Sequence, residues 1–171
     1  MYNTDKQCII LVRQFRPVIF VNKLVERHAS GTPYEELDWT RVHPNEGFTY
    51  ELCAGLCDKN KMELETIKEE ILEECGYEVG VESIHRIAQS RSPGIQGALH
   101  TTFYAEVDEG CKVRDGGGNA DEGEFIEIYE LPVTQIREFV EDESFEKPLG
   151  CSYSLKWFLY ERDSLAKRST I

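Results

Sequence analysis

Three glutamates, Glu70, Glu73 and Glu74, close the run MELETIKEEILEEC, with Gly55 upstream of it and Gly76 directly behind it. Side chains four apart on a helix point the same way. Glu70 and Glu74 would therefore present their oxygens side by side, with Glu73 close enough to share. Such oxygens suit a hard divalent cation. Mg²⁺ prefers about six oxygen ligands and keeps several waters, so two or three carboxylates suffice for one ion. Mn²⁺ is a possible substitute. A cation held this way would allow chemistry at phosphate groups.

The helix that must carry these groups is predicted from about Met62 to Cys75. At about 100° per residue, Leu64, Ile67, Ile71, Leu72 and Cys75 share one arc, while Glu65, Glu69, Glu70, Glu73 and Glu74 share the opposite one. Gly76 suits the position just past the helix end. Like charges four apart (65/69, 69/73, 70/74) each cost an isolated helix roughly 0.2–0.5 kcal/mol. The chain either leaves these carboxylates in water, as a plain solvated acidic face, or neutralises them with a cation.

Around that helix the pattern predicts a strand at 8–14 and a second strand or bent extension at 17–21. An irregular polar insertion follows at 26–47, then a strand at 48–53 that runs into the Gly55 turn. Strands are expected at 84–90, 98–107 and 125–131, a flexible glycine-rich loop at 115–123, and helices at 132–141 and 152–162. Together they form an α+β chain, an αβα sandwich on a mixed sheet. The three consecutive glycines make a loop and not a phosphate cradle, because no G-x-x-x-x-G-K-[ST] follows a strand.

At 171 residues, 40% hydrophobic and 30% charged, the chain fits one soluble domain. Its net charge of −13 argues against a nucleic-acid backbone or an anionic membrane as partner, but not against a small phosphate ligand bridged by a metal. No apolar run approaches the roughly 20 residues that cross a bilayer. The six cysteines lack a C-x-x-C pair and read as reduced, small hydrophobic residues of a cytoplasmic protein. His28, His43, His85 and His100 have neither metal nor nucleophile spacing.

The spacing from Gly55 through Lys61 and Glu69-Glu70-Ile71-Leu72-Glu73-Glu74-Cys75-Gly76-Tyr77 resembles the Nudix box, G-x5-E-x7-R-E-U-x-E-E-x-G-U with U aliphatic or aromatic. Two positions depart: Lys61 stands where the pattern has Glu, and Glu69 where it has Arg. The stretches LVRQFRP at 11–17, ELCAGL at 51–56, FYAEV at 103–107, GGG with DEGEFIEI at 116–128 and SLKWFL at 154–159 extend the likeness over the chain. They are similar to the nucleoside diphosphate sugar branch of the Nudix hydrolases, with the ADP-ribose pyrophosphatases next.

The resemblance implies the Nudix fold as a single domain over 1–171. It implies Mg²⁺-dependent cleavage of UDP-glucose to UMP and glucose 1-phosphate, or of ADP-ribose to AMP and ribose 5-phosphate. It also implies roles. Glu70 and Glu74 are metal ligands, Glu73 lies in the cluster, and the Ala54 carbonyl is a further ligand. Glu122 is the general base and Glu124 another ligand. Arg13, Arg16, Gly55 and Pro93 are substrate contacts. Relatives are homodimers built partly by an N-terminal β-segment that this sequence lacks, which puts the dimer in question. In the family the box arginine holds a catalytic carboxylate; Glu69 cannot, so a compensating cation has to come from Lys61 or from another strand. A second reading follows from those departures: a weakened Nudix-fold module that binds nucleotide and regulates.

Overall fold

The computed structural model describes residues 1–57, 61–92 and 97–168, with the backbone alone for Glu122 and for 163–168. Strand β2 (Cys8–Phe15) is the spine. Its β-branched run alternates faces, as the period of a strand requires. Cys8, Ile10 and Val12 enter one core with Ile71, Cys75 and Tyr77; Ile9 and Leu11 enter a second with Tyr104, Ile136, Phe139, Leu155 and Phe158. Two buried faces on one sheet give the αβα sandwich.

The six-stranded sheet is mixed. β1 (Tyr2–Asn3) pairs antiparallel with the start of β2 and parallel with β5 (Leu99–Val107). β3 (Phe48–Glu51) pairs antiparallel with the end of β2, Arg13 opposite Tyr50. β4 (Ile84–Arg91) pairs with β5. On its other edge β2 pairs with β6 (Ile126–Pro132), Arg13 opposite Glu127.

The expected strand or extension at 17–21 is instead α1, Pro17–Glu26. The VIFV stretch has strand-like composition, but Pro17 occupies the first helical turn, where its missing N–H costs nothing. Phe20 and Leu24, four apart, pack with Leu37 and Val42 in a small core of their own. Tertiary packing overrides the β preference. Three 3₁₀ turns (Tyr34–Glu36, Trp39–Arg41, Pro44–Gly47) make up the rest of the irregular insertion.

Helix α2 spans Glu63–Cys75 and ends on Gly76 at φ 78°. The expected helix at 132–141 is a 3₁₀ turn followed by α3 (Ile136–Glu141). α4 runs Leu149–Arg168, with Cys151, Leu155 and Phe158 buried at helical spacing. Among the described residues no helix is long and apolar enough to cross a membrane, and all six cysteines are free.

Candidate active site

The acids of α2 do not share one solvated arc. Glu74 is buried at 4% exposure. Counting from Ile67 at about 100° per residue, position 74 lies only about 20° short of two full turns, so Glu74 belongs beside the apolar stripe. Its Oε2 accepts the backbone N–H of Ala54 at 3.1 Å, which binds α2 to the turn after β3. Burial pushes its pKa up from 4.5 to about 7. The Cys53 thiol and the Ala54 N–H pull it back in part, while the fields of Glu70 and Glu124 push it further up. The Cys53 thiol is itself raised, first by its hydrogen bond to Cys75 and then by burial.

Gly55 has a steric reason. A Cβ there would lie 1.8 Å from Oε1 of Glu70, so any other residue would push that carboxylate from the place it has against the turn. Glu70, Glu74 and the Ala54–Gly55 backbone are thereby brought together.

Glu124 arrives from the other side, on the loop that leads into β6. This loop is pinned to the C-terminal end of α2. A helix leaves its last four carbonyls without partners within the helix. Here Arg114 Nε donates to the Leu72 carbonyl at 2.9 Å, Gly118 N–H to Glu73 at 3.3 Å, Gly117 N–H to Glu74 at 2.9 Å, and Val113 N–H to Gly76 at 2.9 Å. Gly116, Gly117 and Gly118 all have positive φ (80°, 115°, 78°), and a Cβ on Gly116 would meet the Glu74 carbonyl at 2.5 Å. The glycine run is thus the cap of α2. One carboxylate oxygen of Glu124 accepts the Asn119 N–H at 3.3 Å.

The two expected substrate arginines occupy different settings. The Nε–Nη2 edge of Arg16 holds both oxygens of Glu51 at 2.7 Å. Arg16 is raised in pKa first by that bond, and Glu74 and Glu124 add to it, which puts Arg16 within the field of the acid cluster. Burial pushes the Glu51 carboxyl up, yet Arg16 and the Thr49 hydroxyl outweigh it and the net shift is down. Arg13 lies 3.9 Å over the Phe48 ring and pairs with Glu127. It borders a separate cleft of about 300 Å³ lined also by Lys23, Tyr50, Phe145 and Glu146. Pro93 and the side chain of Glu122 lie outside the described residues; the Glu122 backbone is in a 3₁₀ turn, Ala120–Glu122, just ahead of Glu124.

Among the described residues Lys61 pairs with Glu69 itself, not with one of the expected metal-binding carboxylates. Its Nζ lies 2.6 Å from Oε2 of Glu69. Sequence reading did not single out Glu51, Cys53 or Arg114. Glu51 had a signal, since it faces Val12 across β2–β3 in the stretch ELCAGL. Arg114 had none, because its partner is a main-chain carbonyl.

Among the described residues no group of three or more His, Cys, Asp or Glu side chains is drawn together tightly enough to be a ready-made metal centre. The donor set nevertheless fits a hard divalent cation. A buried carboxyl raised by two further carboxylates is a cluster that gains from a positive charge, and all three are oxygen donors.

No family model matches the chain. Individual proteins do. It is 34% identical over 165 residues to uridine diphosphate glucose pyrophosphatase NUDT14 of Bos taurus, covering 92% of this chain and 74% of that protein. The protein of the same name from Mus musculus is 34% identical over 167 residues, with the same coverage. GDP-mannose pyrophosphatase of Klebsiella pneumoniae is 34% identical over 143 residues, covering 83% of this chain and 60% of that protein. With the box on α2 and the αβα sandwich around it, the chain belongs to the Nudix hydrolases, in the branch of the nucleoside diphosphate sugar pyrophosphatases.

Proposed function

We propose that this chain hydrolyses the diphosphate bond of nucleoside diphosphate sugars with Mg²⁺, UDP-glucose or ADP-ribose or both. The observation that carries the reading is Glu74, bonded to the turn at Ala54 and raised in pKa first by burial, with the fields of Glu70 and Glu124 adding to it. A cation held by Glu70, Glu74 and Glu124, with Glu73 and the Ala54 carbonyl beside them, would neutralise diphosphate charge and acidify an attacking water. Glu122 takes the proton of that water. Arg16, already fixed on one edge by Glu51, turns its other edge to a phosphate oxygen, a match suited to guanidinium geometry. Water attack at phosphorus breaks the bond to the bridging oxygen and gives a nucleoside monophosphate and a sugar phosphate, with no covalent enzyme intermediate.

The second reading, a weakened nucleotide-binding module, rests on Lys61 and Glu69 as losses. Against it stand the three glutamates of the box and the two of the loop, five metal-competent carboxylates that a pure binder need not keep.

The test is incubation of the purified chain with UDP-glucose, ADP-ribose and GDP-mannose, each with Mg²⁺ and with EDTA, and separation of products by anion exchange. The expected result is Mg²⁺-dependent UMP with glucose 1-phosphate, or AMP with ribose 5-phosphate, and the ratio of the two sets the substrate. A folded chain that releases no monophosphate from any of the three sinks the reading.

A further inference from the structure

Lys61 and Glu69 are the two positions at which the chain departs from the box, and they touch each other, Nζ to Oε2 at 2.6 Å. The pattern puts an acid at the first and a base at the second. This chain puts a base at the first and an acid at the second. Reversing both signs leaves the net charge of the two positions unchanged, and in this chain the two attract each other. Two independent losses would not be expected to come together at bonding distance.

The contact has neighbours that act in the same sense. Thr66 Oγ1 of α2 reaches the Cys57 sulfur at 3.8 Å, and that sulfur reaches the Lys61 carbonyl at 3.5 Å. Gly55 lies against Glu70, and Ala54 bonds Glu74. The chain leaving β3 is thus tied to α2 at Ala54, Gly55, Cys57 and Lys61. Glu69 adjoins Glu70 in sequence and stands one helical turn before Glu73. Lys61 also offsets the like-charge neighbours of Glu69 at 65 and 73.

We propose that Lys61 and Glu69 form a charge-inverted clasp, a positioning pair that sets the Gly55 turn against α2 and so fixes Glu70 and Glu74 relative to the Ala54–Gly55 backbone. It rests on the hydrolase reading. Both side chains are about half exposed, so the clasp adds little to global stability and acts through geometry.

Four proteins decide it: the wild type, Lys61→Glu, Glu69→Arg, and the double exchange. Mn²⁺ binding without nucleotide, followed by electron paramagnetic resonance, is measured beside kcat/KM on UDP-glucose. A clasp makes both single variants bind Mn²⁺ more weakly and lowers kcat/KM about three- to tenfold in each, while the double exchange returns to within about twofold of wild type. Charge alone would do otherwise: Lys61→Glu would tighten Mn²⁺ and Glu69→Arg would weaken it. Opposite signs in the two single variants, or a double exchange as poor as the worse single, overturn the proposal. If the wild type itself neither hydrolyses nor binds Mn²⁺, the hydrolase reading fails, and thermal unfolding decides the clasp. There each single variant drops by about 2–4 °C at most, and the double recovers if the pair is a tie and does not if it is not.

Discussion

Glu74 is ionised at a cost. Its carboxyl is raised from 4.5 to about 7 by burial, with Glu70 and Glu124 adding to the shift. A carboxyl whose folded pKa exceeds its unfolded one adds stability that is complete below about 4.5 and is lost as pH rises through about 7. Above that pH the metal-free fold bears the full charge in a buried place, a penalty of about 3 kcal/mol at one pKa unit per 1.36 kcal/mol. Glu74→Gln keeps an oxygen for the Ala54 N–H and removes the charge. At pH 8 without metal it should unfold at higher temperature than the wild type, and with Mg²⁺ it should hydrolyse UDP-glucose at least about a hundredfold more slowly. Calorimetry with EDTA and a product assay with Mg²⁺ test the two halves. A variant that is less stable at pH 8 refutes the charge argument even if activity is lost.

At the scale of elements, α2 and the 113–118 loop form one unit, because the loop supplies the donors for the last carbonyls of the helix. Gly116→Ala would force a side chain into φ +80° and to 2.5 Å from the Glu74 carbonyl. The expected loss is about 2–4 kcal/mol, larger than the roughly 1 kcal/mol that glycine-to-alanine exchanges yield where the backbone permits them. Urea unfolding measures it, and hydrolysis should fall as well, since the altered residue lies against the Glu74 backbone and two residues before Gly118, which touches Glu124. Much of this region was legible in the sequence. The stop of α2 at Gly76 and its apolar stripe at Leu64, Ile67, Ile71 and Cys75 stand in the structure as read, while Leu72 is only half-buried and Thr66 is buried. Two readings failed. Assigning Glu74 to a solvated arc overlooked the helix period, which sets it about 20° from Ile67 at the border of the apolar stripe, where the Ala54 N–H then holds it. Reading α1 as extended failed because VIFV satisfies a strand as well as a helix until Phe20 and Leu24 find Leu37 and Val42.

Over the whole molecule, the two cores divide the labour. The core that holds Ile71, Cys75 and Tyr77 backs the acid cluster; the other joins α3 and α4 to the far face of the sheet. Leu155, buried in the second, is therefore a pure stability position. Leu155→Ala should cost about 2–5 kcal/mol in urea unfolding and leave kcat and KM for UDP-glucose near wild type under conditions where the protein is folded. A large change in KM would mean that α4 reaches the site. The 26–47 insertion has a core of its own, apart from both. The glycine run has a different consequence when seen as inheritance. Gly116, Gly117 and Gly118 are three adjoining codons in which every first- or second-base change that leaves the chain whole introduces a side chain where the backbone has turned left-handed. That short stretch of gene should therefore tolerate almost nothing beyond silent third-base changes, while the codons of the insertion drift.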